Sequence, residues 1–66
     1  MIGNLDEISK KALGAYFRGI RLQSGLTQGD LSKILKLKSS QFVSNVERGI
    51  ASFSMDQVLT IIRCCS

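Results

Sequence analysis

Hydrophobic residues recur at helical spacing in four separate segments of this chain. In the first segment, which runs from about Asp6 to Ser24, Leu13, Phe17 and Ile20 are spaced by three and four residues. The other apolar side chains of this segment are Ile8, Tyr16 and Leu22. Gly25 follows, and glycine suits the left-handed conformation that often ends a helix. The pattern predicts one long first helix.

The second predicted helix begins at Thr27, whose hydroxyl can cap it. Asp30, three residues later, can complete a capping box. An apolar stripe and two outward-pointing lysines follow. The stripe consists of Leu31, Ile34 and Leu35, and the lysines are Lys33 and Lys36.

The third predicted helix follows a turn at residues 36–38. We expect Ser39 to cap it, Val43 and Val46 to face inward, and Gly49 to end it after Arg48. Helical geometry then places four small polar side chains on the opposite, outer face. These are Ser40, Gln41, Ser44 and Asn45. Uncharged groups that both donate and accept hydrogen bonds are suited to reading the edges of DNA bases.

A fourth helix should begin after Ser54, with Gln57 as its box partner. Its apolar face consists of Val58, Leu59, Ile61 and Ile62. No segment alternates with a period of two for long enough to form a strand. The sequence therefore predicts an all-α fold, a compact bundle of four or five short helices in a single domain over residues 1–66.

Composition and charge narrow the class of protein. Sixty-six residues allow one small core, and an apolar content of 44% is too high for a disordered tail. Nine Lys and Arg against five Asp and Glu give a net charge of +4, which favours nucleic acid or an acidic membrane surface as a partner. Apolar runs are too short to cross a bilayer, and the N-terminus lacks the apolar core of a signal peptide. We expect a cytoplasmic protein.

Catalysis and metal binding have little support in the sequence. The chain has no histidine, few carboxylates and no recognisable nucleophile–base pair. Its only cysteines, Cys64 and Cys65, are adjacent, so they cannot cross-link distant parts of the fold or build an ordinary zinc site. We expect free thiols, with an intermolecular disulfide formed on oxidation as the alternative. No catalytic residue, metal, cofactor or small-molecule ligand is predicted.

Several motifs in order resemble the Cro/CI-type helix-turn-helix family, also called the XRE family. GLTQ at residues 25–28 matches the opening of the family pattern, and Leu31 matches the leucine that follows it. VSNVERG at residues 43–49 matches its centre, and Val58-x-x-Ile61 matches its close. The resemblance implies a lambda-repressor-like DNA-binding domain with the helix-turn-helix at about residues 27–48.

Three features depart from the family pattern. Lys36 stands at the turn where the family usually has glycine, and the turn is one residue longer than its commonest form. Phe53 stands where the family often has proline. The first two features leave open at which residue the third helix begins and how its first turn is placed.

The resemblance also implies which residues contact DNA. The third helix would enter the major groove, and alignment from Glu47-Arg48-Gly49 places the base-contacting positions on Ser40, Gln41, Ser44 and Asn45. The family uses the glutamine that matches Gln28 to hold the DNA backbone. The full set of expected phosphate contacts is Thr27, Gln28, Lys38, Ser39 and Arg48.

Two further roles are implied or left open. Arg21 and Glu47 match positions that relatives join as an ion pair, which would tie the first helix to the third; the alternative is two unrelated surface charges. Phe42 could either pack under the loop before the fourth helix or touch a thymine methyl group. Packing is favoured.

The resulting hypothesis is a sequence-specific regulator of transcription, either a repressor or an autoregulatory controller, bound as a homodimer to a palindromic operator. The alternatives are a protein–protein interaction module on the same fold, such as an antitoxin or a phage anti-host factor, and a small cationic membrane-active peptide. Two surfaces could form the dimer. One is the end of helix 4 (Leu59, Ile62, Arg63, Cys64, Cys65), and the other is the N-terminal arm (Ile2, Leu5, Ile8).

Overall fold

A computed structural model describes the backbone of residues 5–65 and the side chains of residues 10–65. This part of the chain forms four helices, α1 (Leu5–Gln23), α2 (Gln28–Ile34), α3 (Gln41–Glu47) and α4 (Met55–Cys65), and contains no strand. The predicted all-α class and its four helices are confirmed. The radius of gyration is 11.8 Å, close to the ~11 Å expected for a compact chain of this length. No helix among these residues is long and apolar enough to cross a membrane.

The core is small and receives at least one buried apolar side chain from each helix. Its members are Phe17, Leu31, Val43, Val46 and Ile61. Phe53, in the loop before α4, packs edge-on against the Phe17 ring at a centroid distance of 5.1 Å. The Phe42 ring lies 5.8 Å from that of Phe53. Phe42 therefore packs beneath the loop, which is the favoured one of its two expected roles.

The inward face of α1 differs from the face that its apolar residues predict. Among residues 10–23 of this helix, the buried ones are Gly14, Phe17 and Arg21, spaced by three and four positions. Three side chains that were expected on the apolar face are instead more than half exposed: Leu13, Tyr16 and Leu22. The expected apolar face of α4 is also partly exposed, at Leu59 and Ile62. Apolar spacing thus correctly places Phe17 and Ile20 on the inward face of α1. It misses Gly14 and Arg21, because a glycine and an arginine carry no hydrophobic signal.

Gly14 is where α1 lies against the end of α3. A Cβ atom at this position would overlap the carbonyl oxygen of Val46 and lie 2.9 Å from that of Glu47. Gly49, with φ of 83°, lies against Lys11 in the same region. Glycines in α1 and in the turn after α3 allow the two segments to approach this closely.

Reciprocal capping boxes begin α2 and α4, as predicted. The Thr27 Oγ1 accepts from the Asp30 N–H at 3.0 Å, and the Thr27 N–H donates to Asp30 Oδ2 at 2.9 Å. Ser54 and Gln57 form the same arrangement, at 3.2 and 2.8 Å. The hydrogen bonds from Thr27 lower the pKa of the Asp30 carboxyl below its ordinary value.

The connection between α2 and α3 contains a residue with a strained backbone conformation. Lys36 has φ of 61°, the only positive φ of a non-glycine residue in the described range. The prediction that Ser39 caps α3 is wrong, because the N-cap is Ser40, whose side chain makes no capping hydrogen bond. The Ser39 hydroxyl instead accepts from the Gln41 N–H at 3.3 Å, two residues ahead. Such a local bond stabilises a turn, so the helix begins one residue later than expected.

Replacing Gly14 and Gly19 by alanine should change stability in opposite directions. Gly14→Ala should lower the free energy of unfolding by about 1–3 kcal/mol, because its methyl group overlaps α3 backbone. Gly19→Ala should raise it by about 0.5–1 kcal/mol, because nothing lies within 4 Å of a Cβ at that position in the helix. Urea denaturation measures both. Equal effects of the two substitutions would contradict the close approach at Gly14.

Replacing Lys36 by glycine should relieve the strain in the turn. We expect the free energy of unfolding to rise by about 0.5–1 kcal/mol, because the left-handed conformation is costly for a residue with a Cβ. Lys33→Gly is the matched control: it removes the same charge from α2, where glycine should instead destabilise by about 1 kcal/mol. Thermal and urea denaturation compare the two variants. A loss of stability in Lys36→Gly would contradict this account.

Candidate nucleic-acid interface

α3 is divided sharply into a buried and an outer face. Val43 and Val46 are 0% and 2% exposed, respectively. The residues expected to contact bases lie together away from these valines, with Gln41 exposed and the other three half-buried. Those three are Ser40, Ser44 and Asn45. The outer face of α3 therefore presents hydroxyl and amide groups that the core does not use.

Two of these side chains are bonded to each other. The Gln41 Nε2 donates to Asn45 Oδ1 at 3.0 Å. Residues four apart on a helix are neighbours on its surface, which allows such a pair to form. The sequence signal for this contact is the spacing of four residues between the two amides.

The surroundings of α3 carry positive charge. Residues 31–50 contain four exposed cationic side chains and a single carboxylate, that of Glu47. The four cations are Lys33, Lys36, Lys38 and Arg48. The Glu47 side chain is only 3% exposed and is paired with Arg21. No carboxylate of residues 31–50 therefore faces solvent, and the exposed carboxylate of Asp30 lies just before this stretch, at the start of α2.

The ion pair between α1 and α3 is bidentate and buried. The Arg21 Nε donates to Glu47 Oε2 at 2.7 Å, and its Nη2 donates to Oε1 at 3.2 Å. The Arg21 Nη1 donates to the Leu26 carbonyl oxygen at 2.8 Å. Arg21 thus joins α1, the loop that follows it and the last residue of α3. The alternative of two unrelated surface charges does not hold.

Gln28 belongs to the same network. Its Nε2 donates to Glu47 Oε1 at 3.1 Å. The side chain expected to hold the DNA backbone therefore also joins the first residue of α2 to the end of α3. Its amide oxygen makes no hydrogen bond to the described residues and stays free as an acceptor. No buried side-chain nitrogen or oxygen in the described range lacks a partner.

The other expected phosphate contacts lie near the ends of the two short helices. Lys38 and Ser39 precede α3 and are exposed, and Arg48 follows it and is also exposed. Thr27 is exposed at the start of α2, where its hydroxyl is engaged as the helix cap. The expected phosphate contacts thus lie at both ends of α3 and at the beginning of α2.

A separate apolar surface lies where α1 meets the end of α4. Leu59 and Ile62 are 45% and 50% exposed. Arg63 and Cys64 are exposed, Cys65 is half-buried, and both thiols are free. Tyr16 lines a groove on this side of the molecule together with Ile62 and Cys65. The other candidate for a dimer surface, at Ile2, Leu5 and Ile8, lies outside the side chains that the structure describes.

Breaking the Arg21–Glu47 pair should destabilise the fold far more than loss of a surface charge. Because each substitution leaves a buried partner uncompensated, Arg21→Met and Glu47→Gln should each lower the free energy of unfolding by about 3–5 kcal/mol. Arg48→Met, which alters an exposed arginine next to Glu47, should change it by less than about 0.5 kcal/mol. A double-mutant cycle in urea measures the coupling. A coupling energy near zero would rule out the pair.

Comparison of the chain with models of protein families, with curated proteins and with solved structures gives no significant match. The resemblance to the Cro/CI-type family therefore stays a prediction that rests on the motifs of the sequence. The candidate interface is therefore described by its geometry alone. Amide and hydroxyl groups lie on the outer face of a short helix, exposed cations lie beside it, and a buried network of hydrogen bonds lies behind it.

Proposed function

We propose that this protein binds double-stranded DNA in a sequence-specific manner as a Cro/CI-type helix-turn-helix domain. In this proposal α2 and α3 form the motif, and α3 enters the major groove. The observation that carries it is the outer face of α3, where Gln41 and Asn45 lie opposite the buried valines. Amide side chains are suited to reading base edges, and an α-helix fits the major groove.

The charge distribution supports the same proposal. Lys38 and Arg48 stand on either side of α3, where the sugar–phosphate backbone would pass, and the carboxylate of Glu47 is buried and paired. Phosphate contacts supply much of the affinity of such proteins, whereas base contacts supply the specificity. Ser40 and Ser44 would add base contacts. Thr27, Gln28 and Ser39 would add phosphate contacts.

The conformation of the turn between α2 and α3 also supports the proposal. Lys36 occupies the position where the family has glycine, and its φ of 61° is the conformation that glycine adopts most easily. At Lys36 the departure from the family pattern is therefore one of residue type, because the local conformation is the one that a glycine would favour. The added residue of the turn is a separate departure.

A regulator of this kind would act as a homodimer at a palindromic operator. One recognition helix covers one half-site, and two half-sites lie about 34 Å apart along the duplex. The half-exposed apolar side chains near the end of α4, Leu59 and Ile62, are suited to join two copies. Occupation of the operator would block transcription, which makes the protein a repressor or an autoregulatory controller.

Selection of bound fragments from a random DNA pool tests the proposal. We expect a palindromic consensus, because each protomer reads one half-site. A consensus of a single half-site would argue against the homodimer. No enrichment at moderate salt, from protein shown by circular dichroism to be folded, would overturn DNA binding and favour a protein–protein interaction module.

The salt dependence of binding tests the phosphate contacts on the selected site. Lys38→Ala and Arg48→Ala should each reduce the slope of log affinity against log salt by about 0.9, since each removes one phosphate contact. Lys33→Ala is the control, because this exposed lysine of α2 lies outside the proposed set. An unchanged slope would remove the substituted residue from the set.

A further inference from the structure

The hydrogen bond between Gln41 and Asn45 restricts what each side chain can recognise. The Gln41 Nε2 donates to Asn45 Oδ1 at 3.0 Å, across one turn of α3. We propose that the two amides act as one recognition unit that selects an adenine followed, within two base pairs, by a guanine or a thymine. This inference rests on the DNA-binding function proposed above and specifies the bases that it selects.

The pairing determines which donors and acceptors remain free. A primary amide has two N–H donors and one oxygen that can accept twice. Gln41 keeps its oxygen and one N–H, whereas Asn45 keeps both N–H donors and only one of the two acceptor positions of its oxygen. Neither amide makes another hydrogen bond to the residues that the structure describes. The unit therefore offers an acceptor and a donor at Gln41, and at Asn45 two donors beside an oxygen that already accepts one hydrogen bond.

The free atoms of Gln41 match adenine. In the major groove adenine offers the N6 donor and the N7 acceptor, which the Gln41 oxygen and its remaining N–H can engage together. Guanine offers acceptors at both O6 and N7, so one of them would face the Gln41 oxygen. The bond to Asn45 opposes the rotation of the amide that would relieve this repulsion, and it strengthens where the groove excludes water.

The engaged oxygen changes the preference of Asn45. An unpaired asparagine is suited to adenine, because it accepts from N6 and donates to N7. Asn45 acts here mainly as a donor, which suits base pairs that present acceptors, the O6 and N7 of guanine or the O4 of thymine. Four residues of helix advance by about 6 Å, and successive base pairs are ~3.4 Å apart, so the two sites lie within two base pairs.

Competition binding on single-base variants of the selected operator half-site tests the inference. The proteins are the wild type, Gln41→Ala, Asn45→Ala and the matched control Gln23→Ala, which removes an exposed glutamine from the end of α1. Gln41→Ala should reduce discrimination for adenine by about 5- to 140-fold, the equivalent of one good bidentate contact. It should also move the preference at the Asn45 position from guanine or thymine towards adenine, because the asparagine oxygen is released. Gln23→Ala should leave every base preference unchanged.

The possible outcomes separate the inference from the proposed function. A shift at the second position in Gln41→Ala supports a coupled pair. Specific binding in which Gln41→Ala alters only one position, or in which wild-type protein selects adenine at both, overturns the coupling but leaves DNA binding intact. Loss of the adenine preference in Asn45→Ala but not in Gln41→Ala would also overturn it. Absence of any selected sequence would overturn the proposed function itself.

Discussion

The structure depends on the buried ion pair between Arg21 and Glu47. With a side chain that is 3% exposed, the Glu47 carboxylate would be strongly destabilising without partners, and it receives three hydrogen bonds, two from Arg21 and one from Gln28. These bonds fix the end of α3 relative to α1 and to the start of α2. The contact at Gly14 adds a steric limit, since the backbone of α3 occupies the space that a side chain would need.

The same ion pair shapes the outer surface of α3. It removes the only negative side chain of residues 31–50 from solvent and leaves Lys38 and Arg48 exposed near the helix ends. A single interaction thus joins α3 to α1 and neutralises the one carboxylate of residues 31–50. A helix as short as α3 would be only marginally stable in isolation. Packing and the buried network must therefore hold the amides of its outer face in place.

Local features of the fold could be predicted from the sequence. The capping boxes at Thr27 and Ser54 and the inward valines of α3 follow from chemistry and spacing within a few residues of one another. The positive φ of Gly25 and Gly49 follows equally locally, because glycine alone adopts it without strain. The cap of α3 was misplaced by one residue because two adjacent serines compete for the role, and Ser39 forms a turn instead.

The sequence by itself determined the four helices, most of their ends and the polar outer face of α3, since each depends on neighbours along the chain. Only the tertiary structure decided that Gly14 and Arg21 face inward while Tyr16 points to solvent. It also decided that Gln28 bonds to Glu47. These features depend on the approach of helices that are distant in sequence: Gln28 and Arg21 lie 19 and 26 residues before Glu47, and Gly14 lies further away still. They also depend on which polar groups that approach leaves in need of a partner.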